Sequence, residues 1–150
     1  MAQSLSKILV HLIFSTKGRE RLILDDIRDE LHRYSATVLK ELDSPAILIG
    51  SVEDHIHILF SLSKNHSISK IVEETKKATS KWIKGKGGHY SSFYWQNGYG
   101  AFSVSQSGVP DVQKYIANQK EHHRQKTFQE EFREFLNRYE VQFDERYVWD

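Results

Sequence analysis

The spacing of hydrophobic residues changes several times along this chain, and the order of these changes restricts the fold more than any other feature. Four short segments rich in β-branched and large apolar residues are predicted to be strands: residues 5–15, 46–52, 55–62 and about 101–105. Two segments with apolar residues at intervals of three and four are predicted to be helices: residues 26–42 and 67–83. The resulting order is strand, helix, strand, strand, helix, strand.

This order predicts an α+β fold of the ferredoxin-like type, a four-stranded antiparallel sheet with two helices on one face. Two additional helices are predicted at residues 110–124, where Pro110 stands at a helix start, and at about 127–139. We expect residues 1–150 to form one domain with its core at about 5–124. Many functions share this fold, so it does not identify one.

The strand at residues 55–62 carries two histidines on one face. Side chains alternate along a strand, so His55 and His57 point one way while Ile56, Ile58 and Phe60 point the other. If the first two helices cover the isoleucine face, the histidines lie on the opposite face. The helix at 110–124 is then expected to cover them.

Two imidazoles at this spacing, with Cα atoms about 6.5–7 Å apart, can each give one nitrogen to a single divalent ion. Tyr115, Gln119 and His122 share one stripe of the later helix and supply further candidates. The simpler alternative is a chance histidine pair on an exposed strand face. We expect His11 to lie near the site without being a ligand.

Charge is distributed unevenly, although the net charge is only +1. Residues 64–89 hold seven lysines against two glutamates, whereas residues 127–150 hold three arginines against seven acids. The basic block permits a polyanionic partner, although a solvated helix face explains it as well. Six lysines are candidates for contact with such a partner: Lys70, Lys76, Lys77, Lys81, Lys84 and Lys86.

The aromatic residues near this block have two possible roles. Trp82 lies on the apolar stripe of its helix and is expected in the core. Trp95, Tyr99 and Phe102 could stack on single-stranded bases or fill the core beside the fourth strand.

The composition excludes some chemistry. The chain has no cysteine, which excludes disulfides and thiolate metal sites and suits the reducing cytoplasm. The apolar run near the start is far shorter than the roughly 20 residues of a membrane span. We therefore expect a cytoplasmic protein that does not associate with membranes.

Three features together resemble a known family: the His55-Ile56-His57 triplet, the run YWQNGYGAFSVS, and Tyr115 followed four residues later by Gln119. In this order they resemble the single-tyrosine transposases of the IS200/IS605 type, within the HUH endonuclease group. The resemblance extends from the HLIFSTKGR opening to the tyrosine helix. The acidic segment after about Thr127 adds nothing to it, and no function is assigned there.

The resemblance implies roles for the matched residues. His55, His57 and Gln119 would bind a divalent metal, Mg²⁺ or Mn²⁺, that polarises the scissile phosphate of single-stranded DNA. Tyr115 would attack that phosphate and form a 5′-phosphotyrosine bond that retains the energy for rejoining. Two imidazole ligands alone would suit Mn²⁺ or Zn²⁺ better than Mg²⁺. The resemblance also implies hairpin-containing DNA as the substrate and a homodimer with active sites shared between subunits. With DNA as the substrate, the six lysines become candidates for DNA binding, and we expect His122 and His123 to face solvent or DNA.

Three alternatives remain at this point. A domesticated relative would nick chromosomal repeat hairpins with the same residues. A non-catalytic nucleic-acid-binding module would keep the lysines and aromatic residues but would not need the histidine pair, Tyr115 and Gln119 together. A two-histidine phosphoesterase would need a second histidine motif, which the sequence lacks.

Overall fold

The predicted order of strands and helices is confirmed in the computed structural model, which describes residues 2–123 and 125–150. The strands are β1 (Leu9–Ser15), β2 (Ala46–Ser51), β3 (His55–Ser61) and β4 (Gly100–Val104). The helices are α1 (Asp25–Glu41), α2 (Ile68–Lys84), α3 (Val109–Ala117), α4 (Gln119–His122) and α5 (Phe128–Arg138).

The four strands form one antiparallel sheet in the order β2-β3-β1-β4. Leu12 pairs with Ile58 and Ile13 with His57, so the two central strands hold the histidine pair in the middle of the sheet. This order and the α+β class agree with the predicted ferredoxin-like pattern.

Local signals account for most helix boundaries. The Ser67 side chain accepts a hydrogen bond from the Lys70 amide and caps α2, which ends at Gly85. Asp25 and Asp26 lie in the first turn of α1, where their charge favours the helix start, and neither side chain caps the helix. Their contribution comes from the helix dipole instead of a side-chain cap.

The sheet separates two cores. On one face α1 and α2 cover the side chains of Val10, Leu12, Phe14, Ile56, Ile58 and Phe60. On the other face Ile13 and Phe102 pack against an apolar stripe of α5: Phe128, Phe132, Phe135 and Leu136.

The prediction that one helix over 110–124 covers the histidine face is wrong in two respects. That segment breaks at Asn118 into α3 and the short α4, and Arg124 lies outside the described residues. The main apolar cover of this face is α5, because its phenylalanines bury more apolar surface than the polar α4 sequence can.

Glycines allow helices to approach the sheet closely at two points. A Cβ atom on Gly50 of β2 would lie 2.7 Å from Ile116 of α3, and one on Gly100 of β4 would lie 2.3 Å from the Phe132 ring of α5. Any larger residue would push these helices away from the sheet.

The C-terminal residues contact both α5 and the loop that precedes β4. Trp149 packs on Phe128 and Phe132, and the Asp150 carbonyl accepts a hydrogen bond from the Gly98 amide at 2.9 Å. Among the residues described, no helix has the length and apolar character needed to cross a membrane.

Candidate active site

The alternation of β3 directs His55 and His57 away from α1 and α2, as the sequence predicts, and the helix that mainly covers them is α5. Both imidazoles are fully buried. Two polar rings at such a position need hydrogen-bond partners, because burying an unpaired polar group is costly.

Glu131 of α5 supplies that partner. Its side chain is buried, with Oε1 at 3.0 Å from His57 Nε2 and 3.4 Å from His55 Nε2, and Oε2 at 3.1 Å from His123 Nε2. The four side chains place their ligand atoms within 4.8 Å of one another. They form the only such group of histidine, cysteine and acidic residues found in the described parts of the chain, and we call it the His–Glu cluster.

Glu131 is not among the site residues predicted from the sequence, because the helix predicted at about 127–139 is distinguished there only by its excess of acidic residues. A usable signal was present. Phe128, Phe132 and Phe135 form an apolar helical stripe, and Glu131 lies on the same face, three residues after Phe128. A carboxylate within an apolar stripe is rare unless it is paired.

The second ring nitrogen of each histidine in the cluster also has a partner. His55 Nδ1 donates to Asp54 Oδ1 at 2.6 Å, and His123 Nδ1 donates to the Lys126 carbonyl at 2.8 Å. His57 Nδ1 lies 2.8 Å from His11 Nε2. His11 is therefore close to the site without joining the cluster, as predicted, whereas the expectation that His123 faces solvent or DNA is wrong.

Burial and the neighbouring charges shift the titration of the cluster. Burial alone would lower the pKa of His55, but hydrogen bonds to Asp54 and Glu131 raise it to about 9. Burial lowers the pKa of His57 to about 4 despite Glu131. Burial would raise the pKa of Glu131, yet the nearby His57, His123 and His55 hold it well below its usual range. The neighbouring carboxylates therefore favour the protonated form of His55, and the histidines favour the ionised form of Glu131.

Tyr115 of α3 also contacts the Glu131 carboxylate. Its hydroxyl donates to Glu131 Oε2, and its ring centroid lies 5.7 Å from that of His57. Burial, followed by the negative charge of Glu131, raises the pKa of Tyr115 above its ordinary value. The phenol is thus held protonated beside the histidine pair, within one chain.

Gln119 is buried and leaves one polar atom unsatisfied. Its Nε2 donates to the Tyr115 carbonyl at 3.2 Å, while its Oε1 has no hydrogen-bond partner among the described residues. His122 lies against the Tyr115 ring at 4.6 Å, and its Nε2 is 3.6 Å from Glu131 Oε2. His122 is therefore partly buried, not directed into solvent as expected.

The six candidate lysines differ in what they contact. The Lys76 ammonium binds the carbonyls of Gln96, Asn97 and Gly98, and burial lowers its pKa to about 8. Lys70 pairs with Glu74 at 3.0 Å and Lys86 with Glu30 at 3.1 Å.

The remaining three lysines are better placed to meet a polyanion. Lys77 and Lys81 are exposed and have no ion-pair partner among the residues described. Lys84 lies over the ring of Tyr94 at 3.9 Å, with Lys17 on the same ring at 5.9 Å, and Tyr94 is 57% exposed.

Of the aromatic residues for which the sequence allows two roles, some lie in the core and one is partly exposed. Trp95 packs on Phe14 and Phe93, and Phe102 belongs to the core beneath α5. Tyr99 remains 37% exposed. Trp82 packs against the first core, as predicted, and stacks on Tyr34.

A ferredoxin-like sheet with a buried histidine pair beside a helix-borne tyrosine is the arrangement expected of a single-tyrosine transposase. The chain belongs to the IS200-like transposase family, whose model matches residues 4–119. The resemblance inferred from the sequence is thereby confirmed.

Individual relatives agree with this assignment. The ISDra2 transposase TnpA of Deinococcus radiodurans is 24% identical over 114 residues, which is 73% of this chain and 81% of that protein. A Deinococcus radiodurans crystal structure described as a transposase superposes with a TM-score of 0.62 at 24% identity, covering 79% of this chain and 98% of the other. The structure of a REP-associated tyrosine transposase bound to a REP hairpin superposes with a TM-score of 0.58 at 14% identity, covering 82% of this chain and 74% of the other. These two structures support the fold.

Proposed function

We propose that this protein is a metal-dependent transposase that cuts and rejoins single-stranded DNA at hairpin-marked element ends through a 5′-phosphotyrosine bond to Tyr115. The observation that carries the proposal is the meeting of the Tyr115 hydroxyl and the His55–His57 pair at one carboxylate. A non-catalytic binding module would have no use for a phenol buried against two histidines.

The residues present fit a divalent ion. His55 and His57 are directed to one point. The buried Oε1 of Gln119 has no hydrogen-bond partner within residues 2–123 and 125–150, which costs about 1–3 kcal/mol unless a ligand satisfies it. These three residues would hold Mg²⁺ or Mn²⁺. The bound ion would polarise the scissile phosphate and stabilise its developing negative charge.

Tyr115 performs the covalent step. Its phenol oxygen attacks the phosphorus, the bond from phosphorus to the 3′ oxygen breaks, and that oxygen leaves as a 3′-OH after taking up a proton. In the described conformation the phenol donates its proton to Glu131 Oε2, and the proton passes to solvent once α5 has moved aside for the DNA. Attack of a 3′-OH on the phosphotyrosine reverses the step and restores the free phenol.

A phosphate does not reach the histidine pair in the described conformation, since both rings are fully buried beneath α5. Cleavage therefore requires α5, or the segment around α4, to move aside when DNA binds.

The DNA-binding surface proposed here is narrower than the six lysines predicted from the sequence. We retain Lys77, Lys81 and Lys84, the last beside the exposed ring of Tyr94, because they are available to phosphates and an unstacked base. Lys76 is omitted since it organises the 96–98 loop, and Lys70 and Lys86 contribute less because glutamates already partner them. Hairpin DNA is the proposed partner, as in the REP-associated transposase.

The resemblance implied a homodimer whose subunits share active sites. In the described chain, however, Tyr115 and His57 of the same molecule already meet. We therefore propose that one protomer carries a complete site in cis, whether or not the protein dimerises.

The experiment that tests the function incubates the protein with single-stranded hairpin DNA and Mg²⁺ or Mn²⁺ and looks for an adduct that resists denaturant. The wild type should form the adduct and release a 3′-OH end. Tyr115→Phe should bind the hairpin with unchanged affinity but form no adduct. Cleavage by Tyr115→Phe, or no adduct with any hairpin flanking the gene, would reject the proposal.

A further inference from the structure

Tyr94 is an exposed aromatic side chain that lies between two buried ones. The rings of Phe93 and Trp95 belong to the first core, whereas Tyr94 is 57% exposed. An isolated β-bridge joins Trp95 to Thr16, directly after β1. The Tyr94 carbonyl accepts a hydrogen bond from the Lys17 amide at 2.8 Å. The backbone that presents the ring to solvent is therefore anchored on both sides, which lowers the entropy lost when a ligand stacks on it.

Two ammonium groups lie beside this ring. Lys84 Nζ is 3.9 Å from the ring centroid, and Lys17 Nζ is 5.9 Å from it. Neither lysine forms an ion pair within residues 2–123 and 125–150. A lysine stem is flexible, so either ammonium can turn from the ring to a phosphate when a base takes its place. We call Tyr94, Lys17 and Lys84 the Tyr94 platform.

The Tyr94 platform lies at the end of the sheet where the histidine strand begins. β1 and β3 are antiparallel, and Ser15 pairs with His55. The Thr16 amide donates to the Asp54 carbonyl at 2.8 Å, which joins this end of β1 to the start of β3. Lys17 follows Ser15 by two residues, so its backbone is no more than about 7 Å from the residue that faces His55.

DNA that contacts both the lysines of α2 and the histidines must pass over an end or an edge of the sheet. His55 and His57 lie on the face that α5 covers, whereas α2 covers the opposite face. Lys77, Lys81 and Lys84 follow one another at intervals of four and three along one side of α2. This stripe spans about 10 Å of the helix axis and ends at Tyr94. The platform is therefore located between the proposed phosphate contacts and the face that carries the histidines.

We propose that the Tyr94 platform stacks an unpaired base of the single strand that connects the hairpin to the scissile phosphate, while Lys17 and Lys84 bind the adjoining phosphates. This inference rests on the proposed function and deepens it, because it assigns the path of the strand from α2 to the histidine face. Every base has a face that can stack on a phenol ring, so the platform positions the strand without reading its sequence. Lys17 is a DNA contact outside the basic block at residues 64–89.

Photo-cross-linking of the wild type locates the stacked base. A stem-loop DNA carries a single iodouracil, either in an unpaired thymidine extension of the stem or in the loop, and is irradiated with the protein without added metal. The iodouracil in the extension should cross-link to the peptide that contains Tyr94. An equal or greater yield from the loop position, or no cross-link to this peptide, would overturn the inference. The measurement does not depend on whether any variant folds.

Binding of the same DNA to variants, followed by fluorescence anisotropy, tests the stacking itself. Tyr94→Leu should weaken binding of the stem-loop with the extension by about 5- to 150-fold, as the loss of one stacked base does, and should not affect the stem-loop without it. Tyr94→Phe should bind as the wild type does, because its ring still stacks. Equal losses for the two DNAs, or no loss in Tyr94→Leu, would contradict the assignment.

A matched control for the tyrosine is available in the C-terminal segment. Tyr147 is 63% exposed, and the Arg146 guanidinium lies 5.2 Å from its ring centroid. Tyr147→Leu should therefore leave the binding of both DNAs unchanged. A loss equal to that of Tyr94→Leu would show that the effect is not specific to the platform.

The contribution of Lys17 is measured by salt dependence. Lys17→Gln should reduce the slope of log affinity against log salt by about 0.7 for the stem-loop with the extension, as one phosphate contact on a single strand does. Lys7→Gln changes an exposed lysine that precedes β1 at the opposite end of the sheet and should leave the slope unchanged. Equal slopes for the two variants would exclude Lys17 from the contact surface.

The two proposals fail separately. A protein that cross-links through Tyr94 but forms no adduct at Tyr115 would contradict only the transposase function. A protein that forms the adduct, while Tyr94→Leu binds and cleaves the extended DNA as the wild type does, would contradict only this inference.

Discussion

At the scale of single residues, Glu131 links more of the site than any other side chain, because one buried carboxylate contacts Tyr115, His57 and His123. Without metal, its charge offsets the positive charge held by the surrounding imidazoles. The residue should therefore matter for folding as well as for chemistry.

Replacing Glu131 with alanine should lower the free energy of unfolding by about 3 kcal/mol, since removing one partner leaves buried polar groups uncompensated. Urea denaturation of metal-free protein at neutral pH measures this change. The control Glu130→Ala removes an exposed carboxylate that bonds only Thr127 at the start of α5, so it should cost no more than about 1 kcal/mol. Equal effects of the two substitutions would show that the Glu131 contacts contribute no specific stability.

At the scale of elements, the position of α5 depends on a glycine in β4. A methyl group at position 100 would lie 2.3 Å from the Phe132 ring, so Gly100→Ala should displace α5 and cost about 1–3 kcal/mol of unfolding free energy. In Gly98→Ala the added carbon meets only ordinary contacts, the nearest at 3.6 Å, and serves as the matched control. Denaturation of both variants compares them. A fully stable Gly100→Ala protein would show that α5 does not pack this closely.

The contact between α1 and β2 should make stability depend on pH. His32 hydrogen-bonds Ser51 at 2.8 Å, and burial, followed by the nearby Arg28 charge, lowers its pKa to about 4 although Asp29 opposes the shift. Above the unfolded pKa of about 6.5 the ring is neutral in both states. As the pH falls from 6.5 towards 4, the unfolded state gains a proton that the folded state resists, so stability decreases.

Replacing His32 with glutamine should remove this part of the pH dependence. Between pH 7.5 and 5.5 the wild type should lose about 1 kcal/mol more unfolding free energy than the variant, after allowance for the partial exposure of the ring. Denaturant titrations at the two pH values measure the difference. Parallel losses in both proteins would show that His32 titrates normally when folded.

At the scale of the whole molecule, the basic face of α2 should set the salt dependence of hairpin binding. Lys77→Gln and Lys81→Gln together should reduce the slope of log affinity against log salt by about 2, one phosphate contact for each lysine. Arg146→Gln removes one charge from the acidic C-terminal segment, where Arg146 pairs with Asp144, and should leave the slope unchanged. Equal slopes for all three proteins would place the DNA elsewhere.

The placement of the site within one chain has its own test. Mixtures of Tyr115→Phe and His57→Ala chains, each inactive and each folded by circular dichroism, should not recover cleavage if the site forms in cis. Recovery to a substantial fraction of wild-type activity would instead support sharing of the site between subunits.

Much of the fold could be predicted from the sequence, because the periods of apolar residues in β3, α1 and α2 directly report which face is buried. The face of His55 and His57 followed from the same alternation. The role of α5 could not be predicted from charge counts. The segment is rich in charged residues, as exposed helices are, but Glu131 lies on the buried apolar stripe of this helix. The carbonyl contacts of Lys76 depend on a loop that approaches α2 only in the folded chain.

The most direct measurement is mass spectrometry of the adduct after nuclease and protease digestion. We predict a nucleotide remnant on the peptide that contains Tyr115, joined through a 5′ phosphate to the phenol oxygen. A remnant on any other residue, or cleavage that leaves no covalently modified peptide, would contradict the account.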